Sequence, residues 1–352
     1  MRYCSLLNDP TSRLLLDELQ NPAQSTLWFA DEGAADILTH VAPHPQLTLV
    51  SNRFDIYQSA QEKNIHAVFS DFNSDDYPEK QYKRIVFRVP KEKALINHLL
   101  DQACKLLTPN GELFICGLKQ EGIKSTADKL KRDFEGNGKL KKQGQTYSGS
   151  FTFLQQNTFE EEETYPKIQE ISIGENKKSF YSKPGVFGWK KIDQGTELLL
   201  SSFDEYMKGH DNNLKNVLDL GCGYGWIFMN LDHYGFESIT ATDNNAAAII
   251  VASHNAKNLK TPVNTLASDC GYIIKEKFDL VLCNPPFHKG FQHNKSLTEK
   301  FIKSARDHLQ KTGIAFFVVN EFVGLETIGK SYFSKQEVLE KSVGFKVIRL
   351  EI

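Results

Sequence analysis

Val217-Leu218-Asp219-Leu220-Gly221-Cys222-Gly223-Tyr224-Gly225 is an apolar run holding one acid that gives way to glycines at alternate positions. The run predicts a buried strand, and the glycines predict a tight turn whose backbone a ligand approaches where a Cβ would collide. Trp226 to Tyr234 then predicts a helix. A strand feeding a helix through such a turn opens a parallel α/β unit, in which ligands sit at the carboxyl ends of strands. The spacing is not G-x-G-x-x-G, so a dinucleotide is the weaker reading. About 20 residues on, Asp243 ends the next predicted strand, where a carboxylate accepts hydrogen bonds from ribose hydroxyls. Asp219 is a candidate partner for a ligand ammonium group, with a loop cap as its alternative. The third strand ends in Ala267-Ser268-Asp269-Cys270. There Asp269 is a candidate acceptor from the exocyclic amine of an adenine, and the Cys270 amide a donor to its ring. A helix N-cap role for Ser268 or Asp269 is the alternative.

A second stretch, Phe278-Asp279-Leu280-Val281-Leu282-Cys283-Asn284-Pro285-Pro286-Phe287, carries the chemistry. Two prolines lack backbone donors and hold a fixed φ, so the strand stops at Asn284 and enters a rigid, extended turn. That turn presents the Asn284 amide, the Pro285 carbonyl and the Phe287 ring together. Such a constellation suits a flat aromatic base bearing an amino group. Joined to the glycine turn, it points to methyl transfer to an amino nitrogen. His288 follows directly but reads as an ordinary loop histidine, because an aminated base loses its proton readily once methylated. No metal-like or triad-like spacing accompanies it.

The chain has 352 residues and a net charge of −2. That length accommodates two domains, and the charge confines any attraction to phosphates to local patches. Lys183, Lys190, Lys191 and Lys289 are candidate phosphate contacts beside the pocket, with Lys177, Lys178 and Lys295 nearby and Lys139, Lys141 and Lys142 as a group in the first half. Phe180, Tyr181, Phe187 and Trp189 interleave with the first group and either stack on bases or pack the entrance. The six cysteines lack zinc-like spacing and read as reduced thiols. No signal peptide or membrane-spanning stretch is expected, so a cytoplasmic protein is expected.

Glu160-Glu161-Glu162-Glu163-Thr164-Tyr165-Pro166 reads as a solvated linker, and one plan recurs on either side of it. Tyr82 to Pro90 matches Phe278 to Pro285, and helix patterns follow at Leu95 to Leu107 and Leu297 to Leu309. The expected domains are therefore 1-165 and 166-352, duplicated α/β units. The first has Ala30-Asp31-Glu32-Gly33-Ala34 for the glycine turn, Ser51 for Asp243, and Arg88-Val89-Pro90-Lys91 for the Asn-Pro-Pro-Phe run. It keeps the pattern without the chemistry and is expected to dock RNA or support its neighbour.

Asn284-Pro285-Pro286-Phe287-His288-Lys289-Gly290, the lead-in Lys183 to Gly188 with Ile192 to Leu200, Gly117 to Leu130 and the closing Gly344 to Arg349 resemble the bacterial small-subunit ribosomal RNA methyltransferase C family. The resemblance implies two tandem class I methyltransferase-like (Rossmann-like) domains, the N-terminal one degenerate. It implies S-adenosylmethionine as methyl donor and N2 of a guanine in 16S rRNA as acceptor, on the 30S subunit or a precursor, by a monomer without metal. Carried over by position, Gly221, Gly223 and Gly225 cradle the methionine moiety, Asp243 holds the ribose, and Asp269 contacts adenine. Asn284 and the Pro285 carbonyl accept from the guanine amine, and Phe287 stacks on the base. The large-subunit guanine-N2 sister family is the nearest competitor. Lys289, Phe291 to Asn294 and the region from Glu321 to Gln336 depart from the family pattern. Adenine-N6 or glutamine-N5 methylation, and a non-catalytic RNA-binding assembly factor, are the remaining rivals.

Overall fold

The computed structural model describes residues 7, 9–77, 82–153, 164–173, 178–210, 213–286 and 291–352. They divide into two compact units, Met1–Lys167 and Ile168–Ile352.

The first unit runs α1 (Pro10–Leu19), β1 (Thr26–Ala30), α2 (Ala34–Leu38), β2 (Leu47–Ser51), α3 (Phe54–Glu62), β3 (His66–Phe69), β4 (Tyr82–Arg88), α4 (Lys93–Leu106) and β5 (Leu107–Leu118). It closes with α5 (Ile123–Asp133), β6 (Asn137–Gly138), β7 (Lys141–Gln143) and β8 (Thr146–Thr152). The sheet order is β3-β2-β1-β4-β5-β8-β6, with β7 also on β8.

The second unit opens with an antiparallel pair, β9 (Gln169–Ile173) and β10 (Lys178–Ser182). It continues as α6 (Gln194–Gly209), β11 (Asn216–Leu220), α7 (Trp226–Leu231), β12 (Ser238–Asp243), α8 (Ala246–Ala256), β13 (Val263–Ala267) and β14 (Phe278–Cys283). Then follow α9 (Phe291–His308), β15 (Leu309–Asn320), α10 (Leu325–Gly329), β16 (Lys335–Ser342) and β17 (Phe345–Glu351). Its sheet order is β13-β12-β11-β14-β15-β17-β16, the order of the first sheet over again. β11 to β15 are parallel, and β17 returns antiparallel. The duplicated Rossmann-like plan expected from the sequence is thus present in both halves.

Alternation explains the unbroken apolar strands. Val217, Leu280, Leu282 and Phe316 face one apolar layer with Leu199 and Phe203 of α6, whereas Leu218, Leu220, Val281 and Phe317 face Phe301 and Ile302 of α9. Helices cover both faces, so the central strands β11 and β14 are interior along nearly their whole length.

Two local expectations change. α7 ends at Leu231, and Tyr234 instead closes a turn onto the Leu231 carbonyl at 3.1 Å. The end of the expected linker is anchored: Tyr165 is buried, stacks on His98 at 4.9 Å, and donates its hydroxyl to Asp71 Oδ1 at 2.7 Å. Residues 160–163 of that stretch lie outside the described residues. The described cysteines, Cys104, Cys116, Cys222, Cys270 and Cys283, are free thiols. Among the described residues no helix is long and apolar enough to cross a membrane.

Candidate functional site

Register brings the candidates to one edge. Leu220 lies opposite Thr242, and Asp243 opposite Ala267, so the residues that follow β11, β12 and β13 emerge side by side. β14 adds Asn284 one position beyond Cys283. The strand order turns back between β11 and β14, which is where ligands enter open α/β sheets.

The glycine turn is built from backbone bonds. Gly221 N and Cys222 N both donate to the Thr242 carbonyl, at 2.8 and 2.9 Å. Gly223 N donates to Asp243 Oδ2 and Asn245 N to Asp243 Oδ1, each at 2.9 Å. The Asp243 carboxylate is thereby oriented. Gly223 and Gly225 both have positive φ, +56° and +97°, for different ends. A Cβ on Gly225 would lie 2.1 Å from the Phe228 ring, whereas one on Gly223 would meet nothing within 4 Å. Gly225 is needed by the fold, whereas Gly223 borders open space.

Asp219 lies beneath this turn, fully buried. Its Oδ2 accepts from Phe228 N at 3.3 Å, which realises the capping alternative, but its Oδ1 has no partner among the described residues. Burial pushes the carboxyl up to about 8, with the charge of Asp243 adding to the effect against the Phe228 N–H bond.

Ser268 N donates to the Asp243 carbonyl at 2.9 Å, which sets Asp269 and Cys270 beside the turn. No described helix starts here; the Ser268 hydroxyl accepts from Ile273 N at 3.3 Å within a turn. Asp269 Oδ2 is paired with Lys300 of α9. Cys270 holds a φ of +50°, and its carbonyl accepts from the Ser304 hydroxyl at 2.6 Å.

The Asn284 amide is held by residues that the sequence reading did not single out. Its Nδ2 donates to Asp193 Oδ2 at 2.9 Å and to Thr196 Oγ1 at 2.7 Å. Asp193 is the N-cap of α6, accepting from Thr196 N at 3.0 Å. An Asp just before an apolar run is a helix-start signal that could have found this cap. Nothing in the sequence pairs it with Asn284. Pro285 is buried directly after. Phe287, His288 and Lys289 lie outside the described residues.

Of the lysines before α6, Lys190 and Lys191 are exposed, and Lys190 Nζ sits 4.4 Å from the Trp189 ring centroid. Lys183 is a correction: it is 1% exposed and donates to the Pro184 carbonyl at 3.0 Å, so its ammonium is withheld from a phosphate. Phe180 is buried and stacks on Tyr224 at 4.3 Å, which makes it packing. Phe187 is 73% exposed and remains the free ring of the segment. Asn245 Nδ2 ties the segment to the sheet edge through the Gly185 carbonyl at 2.9 Å.

In the first unit the corresponding edge is filled. Thr26 pairs with Leu47 and Arg84 as Val217 pairs with Ile239 and Leu280, which sets Ser51 at the level of Asp243 and Arg88 at that of Asn284. Ser51 donates to the Ala30 carbonyl at 2.7 Å. Arg88 is paired with Asp9 and, at 2.6 Å, with Glu121. Asp31 is half-buried beside it, its carboxyl pushed up to about 6 by loss of solvent against the pull of Arg88.

Comparison with known proteins gives the family and the fold. The methyltransferase small domain matches residues 177–349, and the methyltransferase small domain N-terminal model matches residues 12–142. Ribosomal RNA small subunit methyltransferase C of Mannheimia succiniciproducens is 32% identical over 75% of this chain and 77% of its own. The Marinomonas protein of the same name is 28% identical over 93% of this chain and 97% of its own. Among solved structures, the T. thermophilus 16S rRNA N2 methyltransferase in complex with AdoMet and guanosine superposes with a TM-score of 0.82. It covers 98% of this chain and 92% of its own at 20% identity, a likeness of fold.

Proposed function

This chain belongs to the ribosomal RNA small subunit methyltransferase C family, and from that premise we propose that it methylates the exocyclic N2 of a guanine in 16S rRNA with S-adenosylmethionine as donor. The residues at the sheet edge fit that donor. Gly223 leaves open the space that a side chain would fill, Asp243 offers oriented carboxylate oxygens to ribose hydroxyls, and Asp219 holds a buried oxygen suited to a cationic or donor group. Gly221 and Gly225 shape the cradle, and Asp269 and Cys270 are assigned to adenine. Bound there, S-adenosylmethionine supplies a methyl group on a sulfonium, a good leaving group.

The observation that carries the acceptor is the Asn284 amide. With its nitrogen turned to Asp193 and Thr196, its oxygen is the atom left for the pocket. An aromatic amine is a poor nucleophile because its lone pair is delocalised into the ring. Asn284 Oδ1 and the Pro285 carbonyl, each accepting one amine hydrogen, draw the nitrogen toward a pyramidal shape and aim its lone pair. The product loses its proton to water, so no strong base is required, and Phe287 is assigned the stacking face. A guanine inside a helix must be flipped out first, at a cost of a few kcal/mol.

The assembled 30S subunit or a late precursor is the proposed substrate, met by a monomer through Lys190 and Lys191, with Lys289 assigned the same role. The first unit, its edge closed by Arg88, is assigned docking or support. Reaction with labelled donor and digestion to nucleosides, read by mass spectrometry, tests the chemistry. N2-methylguanosine is expected; N6-methyladenosine would replace this reading with its nearest chemical rival.

A further inference from the structure

We propose that Asp193 and Thr196 are positioning residues that set the polarity of the acceptor pocket, making it select an amino group and refuse a carbonyl. The inference rests on the reading of Asn284 as the amine acceptor. A carboxamide is nearly symmetric in shape, and turning it over exchanges an acceptor for two donors. An Asn at the end of β14 therefore needs something to decide which end faces the substrate. Asp193 decides it, because an ionised carboxylate only accepts and so admits only Nδ2, at 2.9 Å. Thr196 completes the device. Its hydroxyl leans toward Asp193 Oδ2 at 3.4 Å, which leaves an oxygen lone pair for the second amide hydrogen at 2.7 Å. Both amide hydrogens are then spent, and Oδ1 is presented outward.

The device is itself fixed. Asp193 is bound to Thr196 N as the cap of a 16-residue helix. Thr196 is buried, and a Cβ added to the intervening Gly195 would come within 3.0 Å of Asp193 Oδ2 and 3.1 Å of Phe345. Gly195 thus leaves the space that the Asp193 carboxylate needs at the helix start.

The first unit repeats the arrangement with a different outcome. Asp9 caps α1, and Ser12, three residues on, donates to Asp9 Oδ2 at 3.0 Å. Arg88, at the level of Asn284, is paired with that same oxygen. The helix-cap carboxylate that grips the end of the fourth strand of the sheet is therefore part of the duplicated plan. Only where the gripped residue is Asn does the grip fix an amide.

The test uses the full chain with the 30S acceptor. Asp193→Ser keeps an equally good N-cap, but a hydroxyl both donates and accepts, so it no longer dictates which end of the Asn284 amide faces it. Thr196→Val keeps shape and removes the lone pair, and Thr196→Ser restores it. Asp193→Ser and Thr196→Val are each expected to lower kcat roughly 10-fold or more, as for one lost hydrogen bond. The donor Kd should be unchanged, and Thr196→Ser should recover most of the loss. The wild-type binding preference for guanosine over inosine, which lacks the 2-amino group, should narrow in Asp193→Ser when read by competition. Wild-type kcat in Asp193→Ser and Thr196→Val, with Asn284→Ala inactive, would overturn this inference and leave the acceptor reading standing. So would equal losses in the Thr196→Ser and Thr196→Val variants that track their melting temperatures. Full turnover in Asn284→Ala would overturn the acceptor reading itself.

Discussion

At Asn284 the reaction depends on one oxygen, and its removal is the sharpest test at the residue scale. Asn284→Ala is expected to lower turnover roughly 100-fold or more, the effect of losing one transition-state hydrogen bond, while donor affinity stays near wild type. Single-turnover kinetics with a parallel donor titration reads both. Asn284 was legible in the sequence because two prolines announce where its strand must stop. Asp193 was not, since its contact with Asn284 spans 91 residues and only the folded chain brings the two together. Asp219 carries a pH signature. Its carboxyl rises from 3.8 to about 8 in the folded protein, chiefly through burial. A raised carboxyl favours the native state below the unfolded value, and that advantage is lost as pH climbs through the native one. Without donor, wild-type stability should therefore fall between pH 4 and 8. An Asn cannot ionise, so the melting temperature of Asp219→Asn should gain on wild type across that window and hold a constant lead above it. A pH-independent difference would refute the buried-acid assignment.

Among the elements, the glycine turn separates folding from binding. Gly225→Ala drives a Cβ into the Phe228 ring at a φ of +97° and should unfold or strongly destabilise the second unit. Gly223→Ala meets open space and should cost only about 1–2 kcal/mol for a left-handed alanine, yet weaken donor binding. Thermal denaturation beside calorimetry distinguishes the two; loss of fold in Gly223→Ala would refute the open-cradle description. In the segment before α6, Lys190→Ala with Lys191→Ala should lower the salt dependence of RNA binding by about two units of slope, one for each phosphate contact. Donor affinity should not change. The central strands β11 and β14 were legible because, covered on both faces, they read as nearly unbroken apolar runs. The edge elements were not. β16 is Lys335-Gln336-Glu337-Val338-Leu339-Glu340-Lys341-Ser342, mostly exposed and polar, and β9 alternates half-buried with exposed positions. Their pairing is set by neighbours rather than by composition. Phe180 takes the packing alternative of its two readings, against Tyr224, whereas Lys183 escaped because composition does not show that its ammonium is buried.

For the molecule as a whole, the duplication was legible from the recurring order of elements, and the structure gives its asymmetry a cause. Where the second unit opens an edge around Asp243 and Asn284, the first closes the matching edge with Ser51 hydrogen-bonded to its own sheet and Arg88 held by Asp9 and Glu121. One molecule of donor per chain is therefore the expected stoichiometry by calorimetry, not two. The net charge of −2 gives no general attraction to RNA, so recognition is expected to draw on the shape of a folded particle as well as on local lysines. The most direct measurement is methyl transfer by the full chain to purified 30S subunits, 50S subunits and a short oligonucleotide carrying the target sequence, with the modified nucleoside identified by mass spectrometry. The predicted result is N2-methylguanosine in 16S rRNA, formed far faster on 30S subunits than on the oligonucleotide and absent from 50S subunits. Label in 23S rRNA, equal activity on the bare oligonucleotide, or a product other than N2-methylguanosine would contradict it.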